Sequence, residues 1–304
     1  MKKLRGVYAV MLTPFKEDES VDEETLRSLI NWLVGKGVHG IICTGSTGEF
    51  ASLSDEERRS VVDITVQESH GRVPVLVGSA ANSTRHTILY SQYAESVGAD
   101  GLMIVHPYYC QPNQEELYEH YKAVARSVHI PIMIYNNPAT SGVDMQPELL
   151  ARLAEIDNIS YVKEASGDIR RIGQIRRLCG DRISIFVGCD NTMLESWLMG
   201  AEGWVSGVAN ILPQQSVELF ELADRGEIDR ARELYDRMLP LGDMLDLEGS
   251  FVQYLKAGSE ILGRPLGKPR RPMLPPREGD LRRLKKAIEL IISPAEGSPS
   301  SDVL

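Results

Sequence analysis

The chain has 304 residues, and 43 Asp and Glu against 33 Lys and Arg give it a formal net charge of −10. Hydrophobic residues make up 42% and charged residues 25%, an ordinary globular balance that excludes collagen-like, disordered and disulfide-scaffold classes. The acidic surplus cannot displace counterions from nucleic acid or hold a polybasic membrane surface, so neither is expected as a partner.

Short apolar runs alternate with amphipathic ones along the chain. Lys2, Lys3 and Arg5 precede the apolar run 7–12 and faintly resemble a signal peptide. Thr13-Pro14-Phe15 and the acidic 17–19 follow, with no small-residue cleavage site, so 7–12 reads as a first core strand. Further strands are expected at 38–43, 73–78, 100–105, 130–135, 159–163, 183–187 and 203–208, each rich in Val and Ile and bracketed by Gly, Pro or Asp. Helical spacing occupies 22–36, 54–69, 84–97, 114–127, 147–156, 168–179, 190–199 and 213–224. The second of these helices opens on Ser54, with Glu57 three residues on as a capping box. Strands alternating with helices predict a parallel sheet, and eight such units favour a closed (β/α)8 barrel over an open sheet. No G-x-G-x-x-G follows the first strand, which weakens a dinucleotide-binding reading.

The barrel is expected over 1–224 and a helical domain over 225–292, with helices at 227–247, 250–263 and 280–292 and a Pro-rich stretch at 264–276. Ser, Pro and Gly dominate 293–304, which reads as a mobile tail. Cys43, Cys110, Cys179 and Cys189 form no C-x-x-C pair, the pattern of reduced thiols in a cytoplasmic protein. No uncharged apolar run approaches the roughly 18 residues of a membrane span.

A barrel carries its chemistry at the C-terminal ends of its strands. The polar groups falling there are Gly45-Ser46-Thr47-Gly48-Glu49, Pro107-Tyr108-Tyr109, Tyr135-Asn136-Asn137-Pro138, Lys163-Glu164 and Gly188-Cys189-Asp190. Lys163 ends an apolar strand, where desolvation disfavours a charged ammonium and a neutral amine can attack a carbonyl to form a Schiff base. The bland alternative is a lysine that reaches the rim or pairs with Glu164 or Asp168. Tyr135, on the neighbouring strand, can shuttle protons if Ser46 or Thr47 relays them, or it can be a barrel tyrosine with a satisfied hydroxyl. The Gly45–Gly48 turn can present N–H groups to a carboxylate, although it lacks the P-loop spacing. Six histidines show no ligand spacing and no metal site is expected. No G-x-S-x-G elbow suggests a Ser-His-Asp triad.

Taken in order, Thr13-Pro14-Phe15, Gly45-Ser-Thr-Gly-Glu49, Pro107-Tyr-Tyr109, Tyr135-Asn-x-Pro138, Lys163-Glu-Ala-x-Gly-Asp168 and Gly188 resemble the dihydrodipicolinate synthase and N-acetylneuraminate lyase family over nearly the whole chain. The resemblance implies a class I carbon–carbon or carbon–oxygen lyase with no metal or organic cofactor, built as a homotetramer of tight dimers. Carried over, Lys163 forms an imine with pyruvate or another 2-oxo acid, and Tyr135 is the general acid/base. Ser46 and Thr47 bind the carboxylate and relay protons. Tyr109 completes the relay, commonly in the neighbouring subunit's site. Gly188 and Val205 line the pocket.

Synthases of the family that condense pyruvate with aspartate semialdehyde usually carry Arg where this chain has Thr140, a position that binds the second substrate's carboxylate. Losing that bidentate cation weakens recognition of the carboxylate. Cys110-Gln111 also replace the usual Asn and base after the Tyr pair. The expectation is therefore aldol-type condensation or cleavage, or dehydration, starting from an imine of pyruvate or another 2-oxo acid. The aspartate-semialdehyde reaction and a non-catalytic barrel that binds an oxo acid are the alternatives.

Overall fold

A computed structural model describes residues 3–293. The eight strands are β1 Gly6–Val10, β2 Gly40–Cys43, β3 Val75–Gly78, β4 Gly101–Val105, β5 Ile132–Asn136, β6 Ile159–Glu164, β7 Ser184–Val187 and β8 Gly203–Ser206. Every neighbouring pair is parallel and β8 returns to β1, closing the barrel in sequence order. Several strands start later than the apolar runs suggest; for β3 after Pro74 and β5 after Pro131, the reason is that proline has no N–H to give the ladder. β1 ends early: the Leu12 N–H leaves the sheet and donates to Asn210 Oδ1 at 2.9 Å.

The outer ring begins with α1 Glu23–Gly35, α2 Asp55–Ser69, α3 Thr84–Ser96 and α4 Gln114–Ala125. It continues with a short α5 Pro138–Ser141, then α6 Pro147–Leu153, α7 Arg170–Cys179, α8 Met193–Leu198 and α9 Pro213–Asp224. The capping box at α2 forms as expected: Ser54 Oγ accepts from Glu57 N at 3.2 Å, and Ser54 N donates to the Glu57 carboxylate at 2.9 Å. The α5 turn has no counterpart in the periodicity. Pro138 starts it at the first helical position and Gly142, at φ 74°, ends it. The helix expected from 190 begins instead as a 3₁₀ turn over Asp190–Thr192.

Strand alternation divides the core into two shells. Tyr8, Val10, Met103, Met133, Tyr135, Tyr161 and Phe186 cluster inside the barrel. Val7, Ala9, Ile104, Ile132, Ile134 and Val162 belong to a second cluster with the surrounding helices. Phe186 receives Tyr8 and Tyr161 edge-on, at 5.4 and 5.9 Å between centroids, which plugs the barrel below the reactive rim.

Three helices follow: α10 Ile228–Leu247, α11 Phe251–Ile261 and α12 Glu278–Ile292. α10 reaches back to the 3₁₀ turn after β7, where Asn191 N donates to Asp246 at 2.9 Å and the Tyr235 hydroxyl donates to Asn191 O. α11 sends Lys256 toward the loop after β2, where its ammonium lies 2.8 Å from Glu49 Oε1. Among the described residues no helix is long and apolar enough to cross a membrane. Apart from Ser293, the segment read as a mobile tail lies outside the described residues.

Candidate active site

The two-residue period of a strand settles where Lys163 and Tyr135 point. Tyr161 and Met133 face the barrel interior, so the residues two further on face it too. Tyr135 and Lys163 are also register partners across β5 and β6. They are 6% and 4% exposed, and the Lys163 ammonium nitrogen stands 3.9 Å from the centroid of the Tyr135 ring. The bland partners proposed for Lys163 are engaged elsewhere: Asp168 pairs with Arg170, while Glu164 accepts from Asn136 Nδ2 at 3.0 Å and Ser166 N at 2.8 Å. Among the described residues Lys163 makes no ion pair.

Gly188 is the floor on which the lysine lies. A Cβ there would stand 2.7 Å from Lys163 Cε and 2.7 Å from Ala165 Cβ, so any side chain displaces the amine. Val205, 1% exposed, belongs to the same inner cluster as Tyr135.

The loop after β2 is held in an unusual shape. Thr44 and Glu49 both adopt left-handed backbone, with φ 49° and 57°, which non-glycine residues keep only when their surroundings impose it. Thr44 Oγ1 donates to Gly78 O at 2.9 Å, and Thr13 Oγ1 donates to Gly48 O at 2.7 Å. Glu49, 4% exposed, accepts from Arg270 N at 2.8 Å and sits 2.8 Å from the Lys256 ammonium. Between these anchors the N–H groups of Ser46 and Thr47 have no acceptor among the described residues. Ser46 is exposed toward the rim, whereas Thr47 is buried at 4%.

Ser46 and Tyr135 share a narrow recess walled by Phe50, Met103 and Val105. Ser46, Phe50 and Val105 also wall a larger cavity of about 420 Å³ that reaches Tyr108, Asn137, Thr140 and the segment 270–273. Thr140 thus faces the space beside the recess, as its place after β5 suggests.

Among the described residues no hydrogen bond links the Tyr135 hydroxyl to Ser46, Thr47 or Tyr109. The Tyr135 hydroxyl accepts from Asn137 Nδ2 at 2.8 Å, and Tyr109 is 88% exposed. His106 is buried, its ring nitrogens against the carbonyls of Pro107 and Val143, so the surrounding backbone engages both sides of the ring. Among the described residues no group of three His, Cys, Asp or Glu could hold a metal ion.

Sequence reasoning missed three participants. Asn137 sits two residues from Tyr135 and could have been found by that adjacency. The Glu49–Lys256 pair joins distant parts of the chain with no motif to mark it. The third is a carboxyl pair behind the lysine. Asp190, 5% exposed, accepts from Ser206 Oγ at 2.9 Å and from Gly207 N at 3.1 Å, while Asp246 caps the turn that Asp190 begins. Burial pushes both carboxyls up from their ordinary values, and repulsion by Asp190 adds to the rise at Asp246.

The sequence profile of the Dihydrodipicolinate synthetase family matches residues 3–291. A 4-hydroxy-tetrahydrodipicolinate synthase of Archaeoglobus fulgidus is 41% identical over 289 residues, covering 94% of this chain and 99% of the relative. One from Syntrophus aciditrophicus is 39% identical over 285 residues, covering 94% and 97%. The crystal structure of a chloride-inhibited dihydrodipicolinate synthase from Acinetobacter baumannii, complexed with pyruvate, superposes with a TM-score of 0.90 at 33% identity, covering 95% of this chain and 99% of that one. This chain belongs to the dihydrodipicolinate synthetase family.

Proposed function

We propose that the protein is a lysine-dependent lyase that binds pyruvate or another 2-oxo acid as an imine at Lys163 and makes or breaks a bond at the adjacent carbon. The observation that carries this reading is the pairing of Lys163 with Tyr135 across β5 and β6: both buried, 3.9 Å from amine to ring, with no carboxylate holding the amine among the described residues.

In this scheme the neutral amine attacks the C2 carbonyl and water leaves as the carbinolamine collapses to an imine. The imine withdraws electrons from C3, whose proton departs to give an enamine. The enamine carbon then attacks an aldehyde, or a C3–C4 or C–O bond breaks in the reverse sense, and hydrolysis frees Lys163. The N–H groups of Ser46 and Thr47 take the substrate carboxylate, as a turn of unpaired donors does for an anion. Tyr135 moves protons at the lysine nitrogen and the leaving hydroxyl, with the Asn137 amide fixing its orientation. Gly188 and Val205 keep the space around the amine small.

Tyr109, exposed on one chain, is assigned to the site of a neighbouring subunit in a homotetramer of tight dimers, and the protein to the cytoplasm. Thr140 itself supplies no charge in the outer cavity, which weakens the hold on an aspartate semialdehyde carboxylate at that position. The experiment is a comparison of Tyr135→Phe with the parent enzyme over a panel of 2-oxo acids and aldehydes. The expected result is a fall in kcat of order 10²–10⁴, the usual worth of a general acid/base, with little change in KM. An unchanged kcat removes Tyr135 from the chemistry, and ordinary efficiency with aspartate semialdehyde refutes the inference from Thr140.

A further inference from the structure

The outer cavity of about 420 Å³ is the larger space beside the proposed site, sharing Ser46, Phe50 and Val105 with the recess containing Tyr135. Its charged lining residues are Glu49, Arg270 and Arg271. Two of the three are already committed. Glu49 faces Lys256 and the Arg270 N–H. The Arg270 guanidinium is used on all sides: Nη1 donates to Ser52 O at 2.7 Å and to Glu57 Oε2 at 2.8 Å, Nε donates to Glu19 O at 2.9 Å, and Nη2 also reaches Glu57.

Arg271 differs. Its side chain is 85% exposed and makes no hydrogen bond among the described residues; its ion-pair partner there, Glu19, is 3.9 Å away. A guanidinium is a planar fork suited to carboxylate and phosphate oxygens. In a chain of net charge −10 the overall field repels an anionic substrate, so a local cation must select it.

We propose that Arg271 is a specificity-determining residue that binds an anionic group, carboxylate or phosphate, at the end of the second substrate remote from its reacting carbonyl. The inference rests on the imine reading of Lys163 and names the class of acceptor that reading leaves open. The cation comes from the segment that follows α11 and lines the same cavity as Thr140. Glu19 competes with the substrate for the same guanidinium.

The test uses the full-length enzyme with pyruvate and three aldehydes: succinic semialdehyde, glyceraldehyde 3-phosphate and glyceraldehyde. The quantity read is the ratio of kcat/KM for each anionic aldehyde to that for neutral glyceraldehyde. In Arg271→Gln the ratio falls about tenfold, the lower end for a charge-assisted hydrogen bond because the guanidinium is open to water. Arg271→Glu lowers it further, and Glu19→Gln raises it. Whichever anionic aldehyde shows the larger fall identifies carboxylate or phosphate as the group read. A ratio unchanged in Arg271→Gln, or a parent enzyme that prefers the neutral aldehyde, overturns the proposal. Failure of borohydride to trap any 2-oxo acid on the parent enzyme instead overturns the imine reading, and this inference falls with it.

Discussion

Lys256→Met tests whether the loop that carries Ser46 and Thr47 is held from the C-terminal helices. The side chains of Lys256 and Glu49 are 2% and 1% exposed, with 2.8 Å between ammonium and carboxylate oxygen. Lys256 also donates to Lys268 O at 3.0 Å and lies 4.2 Å from the Phe15 ring centroid. Burial lowers the Lys256 pKa, and the Glu49 charge opposes that shift. Glu49 Oε1 meets no aligned donor despite its proximity to the ammonium, so charge more than hydrogen-bond geometry joins the pair. Methionine keeps the length and removes the charge, which leaves Glu49 buried with the Arg270 N–H as its remaining donor. Breaking a buried pair from one side costs about 3–5 kcal/mol, whereas removing both charges costs much less. Lys256→Met should therefore lose roughly that amount in urea unfolding, and Glu49→Gln with Lys256→Met should recover most of it. Because Glu49 holds left-handed backbone at φ 57°, the single variant should also raise KM for the 2-oxo acid. A loss below about 1 kcal/mol, or additive single and double variants, would show that the Lys256–Glu49 pair does not hold the loop.

Other perturbations give separate readouts. Gly188→Ala places a methyl 2.7 Å from Lys163 Cε; imine formation should slow, with a stability loss of about 1–3 kcal/mol from overpacking, both measurable on one preparation. Asp190 and Asp246 hold their protons more tightly in the fold than in the unfolded chain, chiefly through burial. Their contribution is thus fully present at acid pH and is lost as pH rises from the ordinary carboxylate range toward neutrality. Asp246→Asn should flatten that decline, seen as a larger relative stability gain at pH 8 than at pH 5, and an identical slope would contradict the assignment. Tyr109→Phe should slow turnover without altering unfolding of the isolated subunit, since the side chain is 88% exposed.

The barrel was legible because each strand is a short buried run ending in Gly, Pro or a polar rim residue, and buried parallel strands need little else. Lys163 and Tyr135 were legible for the same reason: an ionisable or phenolic group closing an apolar strand stands out, and the two-residue period then orients it. What stayed hidden depends on distant contacts. Nothing around Lys256 says that this lysine, on an amphipathic helix, meets Glu49 instead of water. The carboxyls of Asp190 and Asp246 belong to different elements, and only packing brings α10 against the turn after β7. The Pro138–Ser141 helix was missed because four residues are too few for a period, and the late starts of β3 and β5 reflect prolines that propensity alone does not weigh.

Lys163 is the proposed nucleophile. Borohydride reduction in the presence of pyruvate and, in parallel, other 2-oxo acids, followed by peptide mass mapping, tests it directly. A covalent adduct is expected on the peptide containing Lys163, absent from Lys163→Ala. An adduct confined to another lysine, or none with any 2-oxo acid tried, would contradict it.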